Sequence, residues 1–181
     1  MKKVAISALA LAASAGLGYA AGVVGPVPPA SSLDPKVLKM IAPENLQWRP
    51  AEGLQGTEVA TLVGNPAQQG FYIQLNRFSP GAFSRPHFHD NDRYIMVVSG
   101  TWWVDTGGTY DPNDTVPMKQ GTFVVHPGRE VHYDGARAGS EGAVVMIFGQ
   151  GPGTRRECEG PTAQTGPGPC ADAKAAAARA K

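Results

Sequence analysis

The sequence predicts an all-β domain with a short N-terminal helix and irregular ends. Three observations carry that prediction. Glycine and proline are frequent, 23 and 16 among 181 residues, and they cut the chain into pieces suited to strands and turns. β-Rich runs recur in which apolar side chains fall on every second residue, the period of a strand with one face buried. Hydrophobic residues make up 42% and charged residues 17%, enough for a core in a chain of one-domain length.

Taken in order, the chain starts with Lys2 and Lys3, then an uncharged apolar run from Val4 to Leu17, then small residues around Gly18 and Ala20. This is the layout of a secretory signal over residues 1–20, with cleavage near Ala20 or Ala21. The run is short for a membrane span, so no stable span is expected after cleavage, and the mature protein is expected to be periplasmic or secreted. Residues 21–45 read as a Pro-rich linker and a short helix. Asp34 caps that helix, Pro35 takes its first position, and Lys36 to Ile41 continue it until Pro43.

The domain proper is expected over residues 46–150. Thr57 to Val63 alternates as a strand, and Gly64, Asn65 and Pro66 mark a turn. Phe71 to Phe78 is a second strand, with Phe71, Ile73 and Leu75 on one face. Arg93 to Val104 reads as a strand pair broken at Ser99 and Gly100. Within it Trp102 and Trp103 must face opposite ways, one into the core and the other into sheet packing, the mouth of the fold or a dimer face. Thr106 to Asp114 is a solvated loop; its Asp111 and Asp114 lack the spacing of a calcium loop. Thr122 to Pro127 is a strand, His132 and Tyr133 resume it, and the apolar run Gly142 to Phe148 suits a strand buried on both faces. Residues 151–181 read as a flexible tail holding both cysteines, Cys158 and Cys170. An oxidising compartment permits a disulfide there, which would pin the tail locally.

The formal charge of +1 falls by two, to −1, when Lys2 and Lys3 leave with the signal. No basic stripe is present, so no nucleic-acid partner is expected. No phosphate-binding glycine loop and no nucleophile elbow occur either, which removes the common hydrolase schemes.

All four histidines lie in two short segments. His87 and His89 follow Gly81; His126 and His132 follow Gly121. In extended backbone, residues two apart project from one face, so His87 and His89 can converge on one point. Neutral imidazole is the commonest side-chain metal ligand.

These segments resemble the paired motifs of the cupin superfamily. The first motif runs glycine, five residues, His-x-His, three or four residues, glutamate, six residues, glycine; Gly81, His87, His89 and Gly100 match it. The second runs glycine, five residues, Pro-x-Gly, two residues, histidine; Gly121, Pro127 and His132 match, while the inner glycine comes one place early at Gly128. The glutamate position holds Arg93, or Tyr94 under the longer gap, so no carboxylate stands there. The resemblance implies a small antiparallel jelly-roll β-barrel with His87, His89 and His132 as metal ligands. It also implies a homodimer, since small cupins pair through their sheets. Cupins with three histidines and no glutamate resemble iron-dependent dioxygenases that cleave thiols or diketones.

Three imidazoles leave open positions on a divalent transition metal, iron first, with manganese, nickel, copper and zinc compatible. Without the carboxylate the site is more cationic and favours a small chelating or anionic ligand. Arg93 has two readings. It points inward and holds a substrate carboxylate, or, the reading preferred from sequence, it turns outward to pair with Asp90 or Asp92. His126 completes a four-histidine site, serves as an acid or base, caps the mouth, or, by default, is a satisfied structural histidine. Tyr94 and Tyr133 are candidate donors near the metal. The function expected is a metal-dependent enzyme of oxygenase type; the alternatives are a non-catalytic cupin that binds or senses a metal or small molecule, and a metal-free scaffold.

Overall fold

A computed structural model describes residues 33–179. The signal expected over 1–20, and residues 21–32 of the linker, lie outside the described residues. Residues 33–40 belong to a separate unit from the rest. Asp34 caps a turn there, its Oδ1 accepting the Lys36 N–H at 2.9 Å and its carbonyl accepting from Val37 and Leu38. The expected helix over Lys36 to Ile41 does not follow. Pro35 and Pro43 leave room for about two turns, too few to repay helix nucleation without packing. A single 3-10 turn, Pro43–Asn45, replaces it.

Ten strands follow: β1 (Arg49–Pro50), β2 (Thr57–Val63), β3 (Gly70–Phe78), β4 (His87–Phe88), β5 (Arg93–Thr106), β6 (Val116–Lys119), β7 (Phe123–His126), β8 (His132–Gly135), β9 (Ala143–Gly151) and β10 (Arg156–Glu157). All pairings are antiparallel, in the order β1-β2-β3-β9-β5-β8-β4-β10, with β6 and β7 also on β5. The result is a curled, mostly β structure with one C-terminal helix, α1 (Pro169–Arg179).

β5 joins the two halves of this curl. Its first part, from Arg93 to Gly100, pairs with β9 and β7; its second, from Thr101 to Thr106, pairs with β6 and β8. The break expected at Ser99 and Gly100 is a bulge inside one 14-residue strand, with the register slipping between Val97 and Ser99. Gly100 sits at φ 71°, and a Cβ there would come within 2.1 Å of the Gly142 carbonyl oxygen. The motif therefore needs glycine at this bend for conformation and for space.

The core forms on the inner face. Ile95, Val97, Trp102 and Val104 of β5 pack on Val145 and Ile147 of β9 and Tyr72 of β3. Trp102 is 2% exposed, while Trp103 faces out beneath the Arg137 guanidinium at 4.0 Å. β9 is not buried on both faces as expected: Ala143, Val145 and Ile147 are buried, and the alternate residues only half so. The apolar run conceals this alternation because the outward side chains are also apolar.

The tail departs most from expectation. In place of an irregular, flexible segment after residue 150, β10 pairs with β4, α1 forms, and Cys158 and Cys170 are joined in a disulfide. Cys158, Cys170, Phe88 and Val131 make a second small core. Low complexity misleads here: alanine is the best helix former, and the covalent link supplies the tertiary anchor that the alanine face lacks. Among the described residues no helix is long and apolar enough to cross a membrane.

Candidate metal centre

His87 lies on β4 and His132 on β8, and the two are direct partners across the ladder. Opposite residues in an antiparallel pair share a face, so both rings project together. His89 follows β4 two places on and joins them. The ring centroids of His87 lie 4.9 Å from His89 and 4.5 Å from His132, and His89 and His132 are 5.4 Å apart. One nitrogen from each falls within 4.8 Å of the others.

The hydrogen bonds fix which nitrogen is free. The Nδ1 of His87 donates to the Arg85 carbonyl at 2.8 Å, that of His132 to Glu130 at 3.0 Å, and that of His89 to Thr154. A carbonyl only accepts, so each Nδ1 carries the hydrogen and each Nε2 keeps its lone pair. The Nε2 atoms of His89 and His132 are buried without a partner. Leaving such an acceptor unsatisfied costs about 1–3 kcal/mol. Three neutral imidazoles with nitrogens within 4.8 Å of one another, each oriented by an outer carbonyl, fit a transition metal.

Burial keeps the rings neutral. It holds His87 and His132 well below the ordinary histidine range, reinforced for His87 by the neighbouring His132, Arg155, His89 and Arg93. His89 is pushed down to about 2, first by burial and then by Arg93. His126 is pushed down to about 3 by the same two causes. Neutral imidazole is the form that binds a metal.

His126, at the end of β7, stands 3.9 Å from His132 by ring centroids and 5.6 Å from Trp102. Neither of its ring nitrogens has a partner. It is therefore not the satisfied structural histidine taken as the default. With His132 and Asp134 it makes a second cluster of ligand-type atoms within 4.8 Å.

Asp134 escaped the sequence reading, although it stands two places after His132 in the relation that links His87 to His89. It is buried, with Oδ2 3.9 Å from His132 Nε2, and its backbone N–H donates to Ser84 Oγ at 2.9 Å. Burial raises its pKa; Arg93 and Arg155, then the Trp102 indole, oppose the rise. β8 thus brings a carboxylate to the site from a different strand than the motif glutamate.

Arg93 points inward, which corrects the outward preference. It opens β5 directly across from His126, so the two share a face. Its Nε is buried without a partner. The aspartates expected to hold it outside are engaged elsewhere: Asp90 by Arg156 at 2.9 Å, and Asp92 by the Gly128 N–H at 2.7 Å. Burial lowers the Arg93 pKa, with Asp134 and Tyr72 opposing.

The tyrosines are not at the site. Tyr94 is 44% exposed on the outer face and stacks on Phe123, one residue out of phase with Arg93. Tyr133 faces away from His132, its hydroxyl donating to Asp105 Oδ2 at 2.7 Å, and burial followed by that bond pushes it up to about 12.

The early glycine of the second motif also has its account. The family's glycine position is occupied by Arg129, which adopts φ 69°, the only positive φ outside glycine among the described residues. The left-handed turn is kept at a cost of about 1–2 kcal/mol. It lets the Arg129 N–H reach the His89 carbonyl at 2.7 Å, tying the second motif to the first.

No family model matches the chain, and a search of curated proteins finds no relative. Solved structures do match. The polyketide cyclase RemF of Streptomyces resistomycificus aligns at TM-score 0.54 and 19% identity, over 74% of this chain and 90% of that one. A cupin 2 conserved barrel domain protein from Rhodopseudomonas palustris aligns at 0.51 and 14% identity, over 68% and 87%. Identity this low speaks to architecture alone, and together with the curled antiparallel sheet it establishes that this chain has the cupin fold.

Proposed function

We propose that the chain is an exported, metal-dependent enzyme of oxygenase type. In this reading His87, His89 and His132 hold a divalent transition metal, and the substrate is a small chelating or anionic molecule. One observation carries the metal reading: every Nδ1 of the trio is tied to a carbonyl, which leaves each Nε2 its lone pair, in three buried rings that bring one nitrogen each within 4.8 Å of the others. Iron leads among the metals, with manganese, nickel, copper and zinc compatible with three neutral nitrogens. Such a metal, once bound, supplies Lewis acidity and one-electron chemistry.

The chain's own residues do the rest. Arg93 is a half-buried cation whose buried Nε lacks a partner, so it binds and orients an anionic group of the substrate. Asp134, whose pKa burial raises, holds or releases a proton beside His132, and neutral His126 offers a hydrogen-bonding lone pair on the same side. Trp102, buried 5.6 Å from the His126 ring, packs apolar surface beside the site. Export rests on the N-terminal pattern and is supported by the disulfide, which persists in oxidising compartments. Pairing of two copies would cover the exposed Tyr94, Phe123 and Val125 of the outer sheet face.

The second reading, a non-catalytic cupin that binds or senses a metal or small anion, draws on the same Arg93. A half-buried guanidinium beside a metal holds an anion without any chemistry. Oxygen uptake by the iron-loaded protein over a panel of thiols, diketones and flavonols separates the two. Uptake with one substrate, lost in H132A, supports the enzyme; binding without uptake supports the sensor; failure to take up any transition metal sinks the enzyme and leaves the second reading only an anion held at Arg93.

A further inference from the structure

We propose that the C-terminal segment is a wall of the metal centre: Thr154 is a positioning residue for His89, and the Cys158–Cys170 disulfide holds Thr154 in place, so that metal retention follows the state of that bond. The inference rests on the metal-binding reading above.

The three histidines are not held alike. His87 and His132 are paired in the ladder, and each Nδ1 donates to a carbonyl two residues back on its own stretch. Their orientation is local. His89 lies beyond the end of β4, outside any ladder, and its Nδ1 donates to a carbonyl 65 residues away. The next residue leans on the same place, the Asp90 N–H donating to Thr154 Oγ1 at 3.0 Å. Whatever fixes Thr154 therefore aims His89.

On its N-terminal side Thr154 follows the end of β9, where the Gly153 N–H donates to the Pro66 carbonyl at 2.6 Å; on its C-terminal side it is held by β10. Glu157 pairs across from His87 and Arg156 from Phe88, and the Cys158 N–H donates to the Pro86 carbonyl at 2.8 Å. A two-residue strand is too short to persist alone. Its reinforcement is the bond from Cys158 to Cys170 on α1, with Lys174 Nζ donating to the Cys158 carbonyl at 3.0 Å. The helix in turn buries only Cys170. Without the covalent link little apolar area keeps α1 docked, and the segment becomes the least stable part of the fold. Losing an outer partner of a metal-binding histidine weakens the metal about 10–100-fold.

The test uses the full chain and cobalt(II), with affinity read by chelator competition and by the visible spectrum of the bound ion. A water-soluble phosphine opens the disulfide: phosphorus takes the oxygen of one water and becomes the phosphine oxide, and the two sulfurs take its two protons as thiols. The reagent is removed before titration. The account expects the oxidised protein to bind tightest, with the reduced protein and the C158S/C170S variant about tenfold weaker or more and spectrally shifted. Reoxidation of the reduced wild type should restore both readings. Thr154→Val keeps the disulfide but removes the Asp90 contact, and should weaken cobalt by a smaller factor with the same spectral direction. Equal affinity and spectrum in all forms, with only a lower melting temperature after reduction, overturns the inference and leaves the metal reading standing. Should the double variant fail to fold, the reduced and reoxidised wild type decides the part of the disulfide, and Thr154→Val that of Thr154. No cobalt uptake by the oxidised wild type overturns the metal reading and this inference with it.

Discussion

The stretch around His87 and the segment around Thr154 build the same site in opposite ways. The first carries ligands at fixed spacing, His87 on β4 and His89 just past its end, and extended backbone sets residues two apart on one face. The second carries no ligand; it brings a carbonyl oxygen and the Arg155 guanidinium to the site through pairing with β4 and a disulfide. The side chains that bind, and the aim of His87 and His132, are thus specified locally, while the aim of His89 is specified by tertiary contact. That division predicts where substitutions remove the metal and where they merely loosen it.

The largest effects belong to the ligand stretch. His87→Ala, His89→Ala and His132→Ala are each expected to abolish stoichiometric metal, measured by elemental analysis after dialysis. His126→Ala should keep most of it, and equal loss in all four would move His126 into the ligand set. Next comes Arg93. Since the side chain faces the histidines, Arg93→Glu should tighten metal retention and abolish binding of a carboxylate probe such as oxalate to the metal-loaded protein. Unchanged values for both would place Arg93 outside the site.

Acid distinguishes the regions in another way. The four histidines stay neutral in the fold, His126 down to about 3 and His89 to about 2, whereas an unfolded histidine takes a proton near 6.5. Below that pH the unfolded chain binds more protons than the native one, so stability falls as pH drops, by about 1.4 kcal/mol per pH unit for each histidine involved. Urea midpoints of metal-free protein should decline steadily from pH 7 toward pH 4, and His126→Ala should flatten the slope. A flat profile would mean that the rings are protonated in the fold.

The smallest effect tests the motif's misplaced glycine. Arg129→Gly relieves a left-handed arginine and should stabilise the metal-free protein by about 1 kcal/mol, seen as a shifted denaturation midpoint at unchanged slope. Loss of stability would show that the arginine side chain, 5.9 Å over the Phe88 ring, outweighs the strain.

Much of this was legible in the chain. Spacing alone brings His87 to His89, the motif pair brings in His132, and the alternation of Thr57 to Val63 marks β2 with its observed bounds. Arg93 was open because the run from His89 to Arg93 is not one strand: β4 stops at Phe88 and β5 begins at Arg93, so parity could not be counted through. Asp134 is readable by the same spacing as the histidines, two places after His132 along β8, though no motif position marks it. Thr154 and Arg155 could not be found this way. Their role comes from a pairing across about 65 positions that leaves no periodic trace.

The central claim is that three Nε2 atoms face one ion. Anomalous diffraction from crystals of the metal-loaded protein, collected above and below the metal edge, tests it most directly. The account predicts one strong peak bonded to the Nε2 atoms of His87, His89 and His132, with every Nδ1 still on its carbonyl. A peak bonded through Nδ1, or none among these rings in crystals grown with excess metal, would contradict it.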